Sequence, residues 1–462
     1  MKIVYLVGSF PKLSETFILN QITGLIDRGH EVEIVAYHNP KEEKVHADVI
    51  KYGLLEKTHY IQYNNELSLL NTKNVRQLVS CLDADLVHVH FAAKPAEVAL
   101  NILKKIGIPY IITAHAYDIF ISPDVEELRA KFSAAEKVIT VSQFNRKYLL
   151  DLLGQEFSEK IEVQYLGIDL NKFKFIERGT GGKVAIIFIG RLVEKKGVLD
   201  AIEAIHYIIE KHPAVELRII GEGPQKEEAL RKVEEFKIIE NVKFLGSLTE
   251  DKVTEEMERA DIFFLPSVTA PDGDREGLPV VVLEAQAVGL PVVSTRHTGI
   301  PEAVLDKETG YLLEEHDTNG MAGRLCELIE NPDLRNQMGI AGRKVVEARH
   351  ELSKEIDRLE RLIKEIVQSD KRSVGVEYVR RVSQYYAQVM EHLEQQFSQQ
   401  IRQQEQQFSQ QIRQQEQQFS QQIRQQEGQI KQLQRIVSEH DGFIKGIQNT
   451  IFYRLYKKYF KR

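Results

Sequence analysis

Cysteine is scarce. The two thiols, Cys81 and Cys326, lie far apart and lack metal-ligand spacing, which argues for a reducing compartment and ordinary buried thiols over a disulfide framework. Long apolar runs are missing too. The opening MKIVYLVGSF is too short to cross a bilayer and has no evident small-residue cleavage site, so the expectation is a cytoplasmic protein. Charge is mixed, and a net charge of -7 gives no whole-chain reason to expect nucleic acid. The glycine-rich dinucleotide fingerprint is absent after the first apolar stretch, where Ser9, Phe10 and Pro11 stand instead. A nicotinamide enzyme is therefore disfavoured. His88 and His90 lack a third nearby ligand, which disfavours a zinc pair.

What is present is an α/β pattern in a chain longer than one core usually fills. Residues 2–7 read as a strand ending at Gly8. Ser14 reads as the cap of a helix with Phe17, Ile18, Gln21, Ile22, Leu25 and Ile26 on one face, and 31–36 as the next strand. That is a β-α-β unit, as a parallel sheet requires. Further strands are expected at 86–89, 110–113 and 138–141. After a polar, glycine-rich hinge at 167–183 come strands at 184–189, 216–220, 242–246, 261–266 and 292–295.

Candidate chemistry gathers at strand ends, where ligands bind in open α/β sheets. His88 and His90 lie in HVHF, and His115 in TAHAYD. Arg191 and Lys196 flank a turn before a helix, so a planar fork and a point charge can converge on a diphosphate. Gly221 begins a short glycine turn of phosphate-loop shape. The central stretch is 275–295, REGLPVVVLEAQAVGLPVVST. Glu276 and Gly277 sit in a loop, Pro279 opens a helix over 279–287, and Glu284 lies within it. Proline suits a first helical turn, and a helix N-terminus beside glycine seats an anion. Asp83-Ala84-Asp85 and Asp272-Gly273-Asp274 have the form that bridges Mg²⁺ to diphosphate. With Arg191, Lys196 and a helix N-terminus already present, no required metal is expected, and no cofactor.

The pattern EGLPVVVLE followed by AQAVGLPVV resembles retaining glycosyltransferase family 4 of the GT-B fold. FPKLSETFILNQI and LPSVTAPDGDREGLPV are similar to the colanic acid and amylovoran type of exopolysaccharide transferase. The resemblance covers residues 1 to about 366. It implies two Rossmann-like domains facing across a cleft: an acceptor-side domain at 1–170, a nucleotide-sugar-binding domain at 171–350, and a helix at 351–368 crossing back. Implied for donor binding are Gly8, Arg191, Lys196, Gly221, Leu245, Glu276, Gly277, Leu278, Pro279 and Glu284. Glu276, His115, Arg191 and Lys196 are implied as catalytic, His90 and Asp118 as acceptor-side, and 298–302 as a glycine turn near the donor. The implied activity is retaining transfer of a hexose from a nucleotide diphosphate sugar, UDP favoured over GDP, to a lipid-linked saccharide in bacterial exopolysaccharide, capsule or O-antigen assembly. The rivals are another GT-B enzyme, such as an epimerase or phosphorylase, and a disused catalytic body serving as a coiled-coil scaffold at the membrane.

The last hundred residues fall outside this resemblance. QQFSQQIRQQE occurs three times over 395–427. Phe397, Ile401, Phe408, Ile412, Phe419 and Ile423 recur at steps of four and seven, extended by Met390, Leu393, Ile430 and Leu433. An eleven-residue period is about 3.67 residues per turn and predicts a straight or slightly right-handed coiled coil over 374–440. So narrow a stripe needs copies of itself, which makes the expected partner a homo-oligomer. Residues 441–462 mix cations with aromatics, a composition suited to the anionic inner face of the cytoplasmic membrane.

Overall fold

The computed structural model describes residues 1–41, 44–60, 84–99, 108–121, 123–178, 183–368 and 375–460. Two parallel sheets dominate. The first holds β1 (Lys2–Ser9), β2 (Glu31–His38), β3 (Thr58–Tyr60), β4 (Leu86–His90), β5 (Tyr110–Ala114), β6 (Lys137–Thr140) and β7 (Ile161–Val163). Its order is β3-β2-β1-β4-β5-β6-β7, with Ile3 opposite Val32 on one side and Leu86 on the other. The second sheet holds β8 (Ala185–Ile189), β9 (Glu216–Ile220), β10 (Val242–Gly246), β11 (Ile262–Leu265), β12 (Val292–Thr295) and β13 (Gly310–Leu313), in the order β10-β9-β8-β11-β12-β13. Strands such as AIIFI and IFFL are buried at every residue, as expected where helices cover both faces. In both sheets the strand order reverses beside the first strand. That reversal opens a crevice at the carboxyl ends of the strands.

Two expected helix starts differ. Ser14 does not cap the first helix, which spans Thr16–Asp27 with Glu15 in the cap position and no side-chain cap. A turn over Lys12 to Glu15, with Lys12 Nζ on the Glu15 carboxylate at 2.7 Å, occupies the place a serine cap would take. Pro279 is itself the cap of the Val280–Ala287 helix, with an extended ψ of 117°. The helix thus begins one residue later than expected.

Ile168 pairs with Glu351, and its N–H donates to the His350 carbonyl at 2.7 Å. The Leu352–Gln368 helix then lies on the first sheet's side. Its Ile356, Leu359 and Ile363 are buried among Ile3, Ile18, Ile22 and Leu25. Each such burial stabilises by about 1.5–3 kcal/mol, whereas the half-exposed Arg28–Asp357 pair on the same contact contributes at most about 1 kcal/mol. Apolar packing holds this helix in place.

The chain from Ser383 onward forms a unit of its own. One helix runs from Gly375 to Phe460, 86 residues, about 130 Å at 1.5 Å per residue. It continues without a break through Asp441 into the basic, aromatic end. Phe408, Ile412, Phe419 and Ile423 are all exposed along it. From Ile430 the stripe changes step, through Leu433, Val437, Ile444, Ile447 and Ile451, to the three-and-four spacing of a heptad. No helix among the described residues is long and apolar enough to cross a membrane.

Candidate active site

The loops after β8, β11 and β12 bring cations and carboxylates together. Lys196, on a short turn following β8, places Nζ 3.0 Å from Glu276 Oε2. Lys195 beside it is buried and bonds Asp274 at 3.0 Å and the Arg275 carbonyl at 3.2 Å. Asp272 accepts the Asp274 N–H. The Asp-Gly-Asp triplet therefore closes its own turn and anchors a lysine, while Asp83 of the earlier triplet lies outside the described residues. Burial raises the Glu276 pKa, but the charges of Lys196 and Lys195 outweigh it and hold the carboxyl below its usual range. Burial lowers the Lys196 pKa against the pull of Glu276. Glu276 stays ionised, with Oε1 buried and without a hydrogen-bond partner. Lys195 stands 3.9 Å from that oxygen, beyond hydrogen-bond reach.

Sequence reasoning did not single out the next shell of support. The Glu276 N–H donates to His297 Nε2 at 3.1 Å, so the His297 proton sits on Nδ1 and is donated to Glu315 at 2.7 Å. Burial holds His297 below its usual pKa despite Glu315. This chain fixes the loop that carries Glu276. The one available signal was position, since His297 follows a buried strand and stands beside the 298–302 turn.

The remaining candidates fall as follows. Arg191 is exposed after β8, and its charge reaches across to Tyr117 of the first domain, opposing the burial that raises that phenol. Gly221 follows β9 at φ +139°, where a Cβ would stand 1.9 Å from the Gly190 carbonyl oxygen, so only glycine fits. Leu245 lies in β10 and is half-buried. Gly277 is half of the seam described below. Leu278 is buried and Pro279 caps a helix whose first turn carries no acidic residue and no side-chain cap; the Val282 N–H turns back to the Pro279 carbonyl, which leaves those of Val280 and Val281 for an anion. Glu284 is buried in that helix, its pKa pushed up to about 8 by burial and by Glu250, against Lys172. Gly8, at the end of β1, faces open space.

On the first domain, His115 and His90 are brought into contact, Nε2 to Nδ1 at 3.0 Å. Asp118 turns its carboxylate onto the backbone N–H groups of Ala92, His115 and Ala116 at 2.7 to 3.2 Å, which ties the loops after β4 and β5 to each other. That use of both oxygens makes it a loop brace.

The two domains meet at these same loops. A Cβ on Gly277 would stand 2.6 Å from the His115 carbonyl oxygen and 3.0 Å from Val141. Glu302 spans the seam: it accepts from the N–H groups of Gln143 and Phe144 at 2.8 Å each and from Tyr165 at 3.0 Å. A carboxylate from one domain thus caps the Gln143–Leu153 helix of the other, where the helix dipole favours it. Lys172 forms a second tie, at 2.6 Å from Asp48 and 3.0 Å from Glu250.

Comparison with known proteins gives consistent matches. Residues 171–345 match the family described as Glycosyl transferases group 1, and 14–172 that described as Glycosyltransferase Family 4. The chain is 32% identical over 392 residues to the putative colanic acid biosynthesis glycosyltransferase WcaL of Salmonella typhimurium, covering 75% of this chain and 96% of that one. It is 30% identical to the amylovoran biosynthesis glycosyltransferase AmsK of Erwinia amylovora, covering 71% and 90%. Among solved structures, a glycosyltransferase from Rickettsia africae superposes with a TM-score of 0.66 at 17% identity, covering 80% and 99%. Anabaena HepE, solved in complex with UDP and glucose, superposes with a TM-score of 0.65 at 18% identity, covering 79% and 99%. The two-sheet architecture is the GT-B fold.

Proposed function

Because the chain belongs to the glycosyltransferase family of the colanic acid and amylovoran enzymes, we propose that it transfers a hexose, with retention of anomeric configuration and without a required metal, from a nucleotide diphosphate sugar to a lipid-linked saccharide. The observation that carries this reading is Glu276: a buried carboxylate held by Lys196 through one oxygen, with the other oxygen unpartnered, at the entrance of an anion-seating helix. The bare oxygen accepts a sugar hydroxyl. Lys196, Arg191 and the helix N–H groups take up charge as the diphosphate departs, which is the electrostatic part of catalysis. Glu284 holds the ribose, the Leu245 backbone meets the base, and Gly8 and Gly221 let backbone approach the phosphates. His115 contacts the sugar from the first domain, and His90 lies behind it. The acceptor oxygen attacks from the leaving-group side: its bond to the anomeric carbon forms as the bond to the phosphate oxygen breaks, and its proton passes to that phosphate oxygen. No covalent bond to Glu276 is invoked.

A panel of UDP- and GDP-sugars, with and without a chelator, tests the donor site. A ligand at 100 times its Kd stabilises by about 2.7 kcal/mol, so one nucleotide series should raise the melting temperature by several degrees. UDP is the favoured series, in line with the solved HepE complexes with UDP and UDP-glucose. A shift that vanishes on chelation would refute metal independence, and an inverted anomeric signal in the product would refute retention.

The exposed apolar stripe of the long helix supports pairing with copies of this chain. Light scattering of the intact protein should give two or three times the chain mass, and replacing Phe408, Ile412, Phe419 and Ile423 by Ser should return one. A monomeric native chain defeats this reading. The exposed Phe443, Phe452, Tyr453 and Tyr456 beside Lys445, Arg454, Lys457 and Lys458 support attachment to an anionic membrane surface from the cytoplasmic side. The native chain should float with anionic but not neutral vesicles, and charge reversal at the four cations should abolish it; equal flotation of the two proteins would dismiss the idea.

A further inference from the structure

Behind His115 stands a column of rings that the transfer chemistry does not use directly. His88 and His90 project from the same face of β4, their ring centroids 4.4 Å apart, and Tyr5 of β1 flanks them at 5.0 and 5.6 Å. Phe17 and Phe91 hold the His115 ring at 4.6 Å each. The rings of His90 and His115 lie within 21° of one plane, joined end to end by the 3.0 Å contact between nitrogens.

One proton occupies that contact, because two N–H groups would collide and two bare nitrogens would repel. Both rings are neutral: burial pushes His115 down to about 3, and burial with His88 and His115 nearby holds His90 well below its usual value. Three of the four nitrogens are accounted for. Two face each other, and His90 Nε2 is sealed without a partner. His115 keeps 7% of its surface exposed, and its Nδ1 makes no hydrogen bond within the protein. If His90 accepted at Nδ1, its own proton would sit on the sealed Nε2, an orphaned buried N–H of the kind native proteins avoid. If His90 donates from Nδ1, the sealed nitrogen is a bare lone pair, which is the smaller loss. Rotating the His115 ring would set a C–H against His90 and lose the bond.

We propose that His90 is a positioning residue that fixes the tautomer of His115, so that His115 presents Nδ1–H as a donor to an oxygen of the transferred sugar. The inference rests on the reading of His115 as a sugar contact. His90 thereby acts through His115, from behind it.

The test uses the full chain with ¹⁵N-labelled histidine. Long-range ¹H–¹⁵N spectra of the native protein should show His115 protonated at Nδ1 and bare at Nε2; protonation at Nε2 overturns the proposal without any variant. His90→Phe should scramble that tautomer and slow sugar transfer about tenfold. His90→Asn can return an N–H near the Nδ1 position and should restore most of both. An unchanged tautomer and rate in His90→Phe would overturn the proposal while leaving the donor site intact. Wild-type transfer by His115→Ala would instead remove the sugar contact itself, and the proposal with it.

Discussion

Replacing Lys196 by Ala should reduce sugar transfer by about 10²- to 10³-fold, the usual loss when one preorganised charge is removed from a developing oxyanion. Glu276→Ala should lose a similar amount, because Glu276 and Lys196 are a 3.0 Å pair. The double variant should lose little more than either, since groups that act as a unit are not additive. Rates measured under saturating donor, with melting temperatures alongside, make the check. The fold should survive in Lys196→Ala because Lys195, at 3.9 Å from Oε1, still partly balances the buried carboxylate. Unchanged turnover in both single variants would remove this pair from the site.

Gly277→Ala should cut kcat/KM by about 10²-fold while leaving the melting temperature almost unchanged. The three atoms that a new Cβ would crowd belong to His115, Val141 and Asn145, all on the opposite domain. The methyl group strains nothing in its own loop, where φ is ordinary. It pushes the domains apart at the point where Glu276 and His115 converge, and a displacement of about 1 Å costs roughly that factor in rate. Gly221→Ala is the contrasting control. There the collision is with backbone of the same domain at 1.9 Å and φ is +139°, so stability should fall first. A Gly277→Ala enzyme with native kinetics would mean that the seam opens during turnover.

Most of the parallel strands were legible in the sequence as apolar runs, but β3, β7 and β13, edge strands of three or four residues, were not. β9, β10 and β12 fall at the residues expected from their patterns. Helix starts were less so. Whether Glu15 or Ser14 occupies a cap depends on φ and ψ, which residue type only biases. At the site, Glu276, Lys196 and His115 were singled out through family resemblance. Their supports were not, because they come from afar: Lys195 finds Asp274 79 positions away, and Glu302 reaches Gln143 159 positions away. No local pattern encodes such pairs. The Asp-Gly-Asp triplet likewise closes a turn and anchors Lys195, a contact its spacing does not announce.

If copies of the long helix pair as proposed, its change of step has a mechanical consequence. An eleven-residue repeat winds paired helices straight or to the right, and a seven-residue repeat winds them to the left. The first pattern ends with Glu427 and the second begins at Ile430, with Gly428 between them. Paired copies of this helix would therefore reverse their hand at Gly428, where the absence of a side chain eases the change of winding. Torque applied at one end would tighten one segment and loosen the other, so that the stem yields to twisting at one defined point.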